Sequence, residues 1–160
     1  MSDRTLMLLA LDEARRCEET GDVPVGAVLA RGHDVIAATG NGRERLQDPT
    51  AHAEMLVRRE AAQREGSWRL DGCTLVVTLE PCAMCAGAIV LARLDRLVVG
   101  TMDPKAGFAG SLGDLVRDPR LNHRAKLITG VMDEECSALL RSFFRARRSE
   151  RLQSSDGSSA

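Results

Sequence analysis

The feature that most constrains the fold is the run 73–79, which is almost continuously apolar. Such a run is typical of a strand that is buried on both faces, as in a parallel sheet. A second apolar segment, 97–100, follows after a helical pattern whose apolar positions are Cys85, Ala88, Ile89 and Ala92. The sequence therefore predicts a strand, a helix and a returning parallel strand, which is typical of the α/β class.

Further periodic segments surround this unit. The sequence predicts a helix over 7–17, a hairpin of strands over 25–30 and 35–38, a helix over 51–65, a short strand over 127–129, and a final helix with the apolar positions Cys136, Leu139, Leu140 and Phe143. The stretch 101–122 is rich in Gly, Asp and Pro and is predicted to be a long loop, and such loops are usually functional. We expect one folded domain over residues 1–152 and a Ser-rich, disordered tail over residues 153–160.

Composition excludes several classes of protein. Of the 160 residues, 44% are hydrophobic and 28% charged, as in ordinary globular domains. No apolar stretch approaches the roughly 20 residues that span a bilayer, and five cysteines do not suggest a disulfide framework. We therefore expect a cytoplasmic protein with neither a membrane span nor a signal peptide.

The charge is distributed unevenly along the chain. Residues 81–160 carry 12 basic and 9 acidic side chains, against 10 and 14 in residues 1–80. An anionic partner should therefore meet the C-terminal half.

Two short segments carry candidate metal ligands, His52-Ala53-Glu54 and Pro81-Cys82-Ala83-Met84-Cys85. Two cysteines three positions apart lie near one face of a helix, and at a helix N-terminus the dipole favours the thiolate form that binds metal. Pro81 suits the start of such a helix, because a backbone N–H there would have no partner within the helix and its absence costs nothing. His52 brings the count to three nitrogen and sulfur ligands. This number leaves one tetrahedral position of zinc for water, as in catalytic sites.

Glu54 adds the group that a hydrolytic zinc site needs. Two positions along a helix turn a side chain by about 200°, so Glu54 should not share the metal symmetrically with His52. Its longer side chain can still reach the water on zinc, and it can then carry protons to a ring nitrogen and to a leaving amine. The combination predicts hydrolytic deamination of a nucleobase.

Two alternatives remain open at this point. One is a deaminase of a free base or nucleoside, such as guanine or cytosine, which needs no surface for RNA. The other is an RNA-binding module whose zinc is only structural. That module requires a fourth protein ligand from Cys73 or His123 and gives Glu54 no role.

Six motifs are spread along residues 6–148: Val23-Pro-Val-Gly-Ala-Val28, Asp48-Pro-Thr-Ala-His-Ala-Glu54, Thr78-Leu-Glu-Pro-Cys-Ala-Met-Cys-Ala-Gly87, Ala109-Gly-Ser-Leu112, Asn122-His-Arg124 and Phe143-Phe-Arg145. In these motifs the chain resembles the cytidine deaminase superfamily and, more closely, its bacterial tRNA-specific adenosine deaminases. The resemblance implies a three-layer α/β/α sandwich around a central five-stranded mixed sheet, one Zn²⁺ per chain, no organic cofactor and a homodimer. It also implies that the partner is the anticodon stem-loop of an arginine tRNA, whose wobble adenosine becomes inosine.

The resemblance also assigns roles to single residues. They are the zinc ligands His52, Cys82 and Cys85, the proton shuttle Glu54, the base-contacting Asn41, and Asp103 and Lys105 of the loop beside the active site. The amide of an asparagine can pair with both a donor and an acceptor on a purine edge. Gly40 and Phe108 depart from the family pattern, which leaves the contacts of the substrate loop open.

A basic stripe marks the final predicted helix, where Arg141, Arg145 and Arg148 recur at i, i+4 and i+7 beside Phe144. Guanidinium groups in line suit an RNA backbone, and an aromatic ring suits an unstacked base. We therefore predict that Phe144, Arg145 and Arg148 bind the RNA. The alternative is a solvated helix face.

Overall fold

Five helices and five strands form within residues 1–157, the part of the chain that the computed structural model describes. The helices are α1 (Asp3–Arg16), α2 (Arg43–Leu46), α3 (Ala53–Glu65), α4 (Ala83–Leu91) and α5 (Asp133–Gly157), and a 3-10 helix, Cys17–Thr20, follows α1. The strands are β1 (Gly26–Arg31), β2 (Asp34–Gly40), β3 (Thr74–Leu79), β4 (Arg96–Thr101) and β5 (Lys126–Ile128). Every predicted helix and strand is present, although the ends of most of them differ from the prediction.

The strands form one mixed sheet in the order β2-β1-β3-β4-β5. β1 is antiparallel to both β2 and β3, whereas β3, β4 and β5 are parallel. Val76 of β3 pairs with Val28 of β1 on one side and with Val98 of β4 on the other. The apolar run of β3 is therefore the centre of the sheet, as its sequence indicated.

The two faces of the sheet pack against different helices. Val28, Val76 and Val98 face α1 and α5, where they share a cluster with Leu11 and Cys136. Because side chains alternate along a strand, their neighbours point to the other face, which α3 and α4 cover. The cluster on that face includes Leu29, Leu75, Val77, Leu97, Val99, Val57 and Ile89. The result is the three-layer α/β/α sandwich that the resemblance implied.

One edge of the sheet collects the segments that carry the candidate site. Since β1 is antiparallel to β2 and β3, its beginning lies at the same edge as their ends. The parallel strand β4 also ends there. These strand ends lead into Asn41, into Glu80-Pro81-Cys82 and into the loop that follows Thr101. Residues from distant parts of the sequence therefore meet at this edge.

The C-terminal tail differs from the sequence prediction. α5 continues to Gly157, so residues 153–157 are helical and not disordered. The hydroxyls of Ser154 and Ser155 donate to the carbonyls of Arg151 and Leu152, so these polar side chains bond within the helix. Residues 158–160 of the predicted tail lie outside the described residues. A second difference is α2, a helix of four residues between β2 and α3, where the sequence pattern predicts no helix. Within residues 1–157 no helix is long and apolar enough to cross a membrane.

Candidate zinc centre and active site

A tight turn places His52 at the start of α3. Asp48 Oδ1 accepts hydrogen bonds from the backbone N–H and the hydroxyl of Thr50, both at 2.8 Å, which closes the turn that Pro49 begins. Ala51 and Ala53 on either side of His52 are fully buried. His52 is the N-cap residue of α3, with extended backbone. The motif before α3 therefore holds the imidazole at the helix N-terminus.

The two cysteines occupy the corresponding place on α4. Cys82 is its N-cap, and the Cys82 carbonyl accepts the N–H of Ala86 at 2.8 Å. Cys85 lies in the first turn and is buried. Pro81 therefore precedes the cap and lies two positions before Ala83, the first helical residue. Its carbonyl accepts the N–H of Phe108 at 2.8 Å. The positive ends of two helix dipoles meet at these side chains.

The three side chains are spaced as zinc ligands are. His52 Nδ1 lies 3.6 Å from Cys82 Sγ and 3.5 Å from Cys85 Sγ. Tetrahedral zinc, with bonds of about 2.3 Å to sulfur and 2.0–2.1 Å to nitrogen, holds such atoms about 3.5–3.6 Å apart. All three ligand atoms lie within 4.8 Å of one another. His52, Cys82 and Cys85 thus form a zinc cradle that fits the ion.

The fourth ligand required by a structural zinc site is not found among residues 1–157. No further His, Cys, Asp or Glu of this part of the chain belongs to the group that His52, Cys82 and Cys85 form. Of the two candidates, Cys73 donates to the carbonyl of Asp71, and His123 pairs with the carbonyl of Leu94. This finding removes the support for the structural-zinc alternative.

The protonation of the zinc cradle also suits a metal. Hydrogen bonds from Cys85 and His52 lower the pKa of Cys82 to about 3. The bond to Cys82, together with burial, raises the pKa of the Cys85 thiol, and the hydrogen bond to Cys82 raises the pKa of His52. A thiolate thus attracts the protons of two neighbouring ligand groups. A divalent cation replaces such protons with bonds to all three ligands.

Glu54 lies next to the zinc cradle, in the first turn of α3, and only 6% of its surface is exposed. Burial raises the pKa of its carboxyl group; Cys85 and His52 act against this rise, and the charge of Cys82 adds to it. Glu54 is not a member of the ligand group. A buried carboxyl group with a raised pKa beside a metal site is suited to carry protons near neutral pH.

A cavity of about 210 Å³ opens onto these groups. Asn41 lines it, with its Nδ2 donating to the carbonyl of Val23 at 3.2 Å and its Oδ1 accepting the N–H of Arg43 at 3.3 Å. One amide N–H and one lone pair of Asn41 therefore remain for a ligand. The other lining residues are Val23, Val25, Arg43, His52, Ala53, Glu54, Leu79, Glu80, Cys82, Asp103 and Ala106.

Asp103 and Lys105 share one turn beside the site, but only Asp103 lines the site cavity itself, whereas both line a neighbouring cavity. Asp103 lines the site cavity, and its Oδ1 accepts the backbone N–H groups of Lys105 at 3.0 Å and Ala106 at 3.3 Å. Its carboxylate therefore shapes its own turn. Lys105 is exposed and lines a neighbouring cavity of about 550 Å³, which extends to α5.

The predicted basic stripe lies beside the site. Phe144, Arg145 and Arg148 are exposed and line the 550 Å³ cavity. Arg141 pairs with Glu134 at 2.7 Å. A second neighbouring cavity, of about 500 Å³, shares Val23, Asn41 and Arg43 with the site cavity. Its remaining lining residues are Gly21, Asp22, Glu44, Phe143, Phe144, Arg147, Arg148 and Arg151.

Sequence reasoning did not single out Arg147. Its guanidinium group donates to the carbonyl of Gly21 and lies 5.1 Å from the centre of the Phe143 ring. This contact ties α5 to the turn that follows the 3-10 helix. No sequence signal indicates it, because Gly21 and Arg147 are 126 positions apart. Glu80 is likewise absent from the predicted site residues, although it belongs to the motif 78–87 that carries the two cysteines.

Residues 1–101 match the family model of the cytidine and deoxycytidylate deaminase zinc-binding region. Over 149 residues the chain is 49% identical to the tRNA-specific adenosine deaminase of Bacillus subtilis strain 168, with 93% of this chain and 92% of that protein covered. The chain belongs to the tRNA-specific adenosine deaminases. It is accordingly an enzyme, a hydrolase of carbon–nitrogen bonds with a zinc-binding deaminase domain.

Solved structures agree with this family. A chain from a study of A-to-I editing by tRNA:A34 deaminases superposes with a TM-score of 0.82 and 44% identity, covering 85% of this chain and 99% of that one. A guanine deaminase from Bacillus subtilis is less similar, with a TM-score of 0.63 and 35% identity over 69% of this chain and 71% of that one. The cytidine deaminase-like fold predicted from the motifs is therefore confirmed.

Proposed function

We propose that this deaminase converts the wobble adenosine in the anticodon of an arginine tRNA into inosine, with one zinc ion per chain. The observation that carries the proposal is the buried Glu54 beside the zinc cradle, in a cavity that arginine-lined cavities flank. The site cavity is large enough for one nucleobase, and the flanking arginines suit the phosphates of a longer RNA. The likeness to a chain studied as a tRNA:A34 deaminase supports the wobble position.

The chemistry follows from the groups around the base. When bound, zinc supplies a Lewis acid that lowers the pKa of water to about 7, so that hydroxide is present at neutral pH. Glu54 accepts the proton that water loses and delivers it to N1 of adenine as C6 is attacked. The Glu54 carboxylate then takes the second proton from the oxygen now bonded to C6 and gives it to the amine as the C6–N bond breaks, so that adenosine and water become inosine and ammonia. Asn41 holds the purine edge with its remaining donor and acceptor.

The direct test uses an arginine tRNA transcript with adenosine at the wobble position. We expect sequencing after incubation with zinc-loaded protein to read inosine at that position. The matched control transcript carries its adenosine one nucleotide away, and we expect no conversion there. Absence of inosine from the first transcript would contradict the proposed function.

The alternative substrate is a free base, which the likeness to a guanine deaminase favours. Such a reaction needs the zinc cradle and Glu54 but not the arginines of the neighbouring cavities. Ammonia release from guanine, cytosine and free adenosine distinguishes the two functions. We expect none above background, and rapid release from a free base would favour the alternative.

We also propose that two copies of the chain associate in the cytoplasm, where the tRNA is. Arg58 Nε is buried and has no hydrogen-bond partner within residues 1–157. A buried donor without a partner costs about 1–3 kcal/mol, which an acceptor from a second copy offsets. The exposed Leu91 and Leu112 supply apolar surface for such an association. Sedimentation velocity is expected to give twice the chain mass, and a purely monomeric boundary would contradict the dimer.

A further inference from the structure

Glu80 is a buried carboxylate that the proposed chemistry does not use. It is 3% exposed and stands between β3 and Pro81. Its Oε1 accepts hydrogen bonds from the N–H of Asp103 at 2.9 Å and the hydroxyl of Ser111 at 2.5 Å. Its Oε2 accepts the N–H groups of Ala109 and Ser111, both at 3.0 Å. All four donors come from the single segment 103–111.

This hydrogen bonding leaves Glu80 no capacity to bind a substrate. A carboxylate offers about four lone-pair sites, and the four donors of segment 103–111 fill them. Glu80 lines the site cavity but does not belong to the ligand group of the zinc cradle. It therefore acts on other protein groups and not on the base or the metal.

Within the segment, a second carboxylate continues the network. Asp103 receives the Glu80 bond at its N–H, and its Oδ1 accepts the N–H groups of Lys105 and Ala106. The Asp103 carbonyl accepts the N–H of Gly107 at 2.9 Å. The position of the whole turn 103–107 thus depends on where Glu80 holds Asp103.

The same segment packs directly on Glu80 and on the zinc-binding motif. A Cβ atom at Gly107 would lie 2.2 Å from Glu80 Cδ, so only glycine allows this approach. Gly107 also forms a backbone bridge with Cys82, and the N–H of Phe108 donates to the carbonyl of Pro81. Segment 103–111 is therefore a wall of the site that is attached next to the zinc cradle.

We propose that Glu80 is the positioning residue of this wall, residues 103–111. It holds Asp103 and Lys105 where the RNA enters the site, and it takes no part in the chemistry. The proposal rests on the proposed function for its substrate. The attachment itself involves no RNA and can be measured without one.

The first test is hydrogen–deuterium exchange of zinc-loaded Glu80→Gln. Gln has nearly the same shape, but it replaces one acceptor oxygen with an N–H₂ group that faces donors. We expect the amides of Asp103, Ala109 and Ser111 to exchange at least about tenfold faster, as after loss of one hydrogen bond to a charged group. The matched control is Asp118→Asn, whose carboxylate accepts the N–H of Arg120 in the same long loop but does not contact the wall. We expect no faster exchange of the wall in this control.

The second test is steady-state kinetics on the anticodon stem-loop. For Glu80→Gln we expect KM to rise about tenfold while kcat changes less than about threefold, and zinc content to stay at the wild-type value. If Glu80→Gln does not fold, Ser111→Ala removes one donor only and is expected to cause smaller changes in the same direction. Unchanged exchange in the wall, or a loss of zinc, would overturn the proposal.

The experiments distinguish a failure of the proposed function from a failure of the positioning role. A wild-type protein that leaves the tRNA unmodified contradicts the proposed function, and faster wall exchange in Glu80→Gln still supports the positioning role. An active wild type whose Glu80→Gln variant keeps its KM contradicts the positioning role alone.

Discussion

The zinc cradle and the C-terminal half of α5 both border the site, but different forces hold them. His52, Cys82 and Cys85 stand at the N-termini of two helices that pack on the central sheet. α5 has one fully buried residue, Cys136, near its beginning, and its arginines are largely exposed. The zinc cradle is therefore rigid and built in advance, whereas the basic end of α5 is a charged surface.

The two regions are accordingly suited to different functions, catalysis and electrostatic attraction. Chemistry on a base needs ligands and a proton carrier held within a fraction of an ångström, which buried helix ends provide. Attraction of an RNA backbone depends on charge and tolerates variable geometry, because phosphate contacts act over the Debye length. Substitutions in the two regions should consequently change different measurable quantities.

The largest expected effect comes from removing a ligand of the zinc cradle. We expect Cys85→Ser to lose most of its zinc and its deaminase activity, because a hydroxyl is a poor substitute for a thiolate. Metal analysis of the purified protein checks this. Cys73→Ser is the control, since Cys73 is buried outside the ligand group and its thiol donates to the carbonyl of Asp71, as a hydroxyl can. Undiminished zinc in Cys85→Ser would remove Cys85 from the ligand set.

A smaller loss is expected when only the proton carrier is removed. Glu54→Gln keeps the shape of the side chain, so we expect zinc content and RNA affinity to persist. The rate is expected to fall by about 10²- to 10⁴-fold, equivalent to about 3–5 kcal/mol of barrier. Glu60→Gln on the same helix is the control, because Glu60 pairs with Arg64 away from the zinc cradle. A near-native rate for Glu54→Gln across the pH range would refute the shuttle role.

The two regions also differ in how far their sequence predicts them. Within each of its two segments the zinc cradle is local: Cys82 and Cys85 are three positions apart, and a turn closed by Asp48 precedes His52. Only the meeting of the two segments, 30 positions apart, depends on the sheet. Short motifs therefore carry most of the geometry. The apolar runs and helical stripes likewise predict the strands and helices, because burial against the sheet decides them.

Contacts between distant segments escape this kind of reasoning. The helical spacing of Arg141, Arg145 and Arg148 indicates one uniform stripe, but the structure anchors α5 through Arg147, whose partner follows the 3-10 helix. Glu80 shows the same limit, since its donors come from the segment 103–111, which begins 23 positions later. The polar tail 153–157 continues the helix, with two of its serines hydrogen-bonded to carbonyls of the preceding turn, which composition alone does not indicate.

Arg147 and Arg145 allow the structural contribution of an arginine on α5 to be distinguished from the effect of its charge. Arg147→Met loses the hydrogen bond to the Gly21 carbonyl and the interaction with the Phe143 ring. We expect the free energy of unfolding to fall by about 2 kcal/mol, which lowers Tm by about 4–8 °C for a chain of this size. Arg145→Met removes the same charge from an exposed position and is expected to leave Tm unchanged. Equal melting temperatures for the two variants would show that α5 is not anchored there.

The smallest effect is expected from the exposed arginines, and it concerns salt dependence more than rate. Arg145 and Arg148 line a cavity beside the site, and Arg148 also lines the second neighbouring cavity, but neither lines the site cavity. We therefore expect them to contact phosphates and to position the RNA without touching the base. Replacing both with Gln is expected to lower the slope of log affinity against log salt by about 0.7 for each phosphate that is no longer neutralised, with less change in turnover at saturating tRNA. The control removes two charges at the opposite edge of the sheet, Arg31→Gln with Arg69→Gln, and is expected to keep the wild-type slope. Titrations at several salt concentrations measure these slopes. If the double variant and the wild type have the same slope, Arg145 and Arg148 are merely solvated residues on the helix face and do not neutralise phosphates. We would then expect the RNA to be held at the second neighbouring cavity through Arg43, Arg147 and Arg151, which the double variant leaves in place.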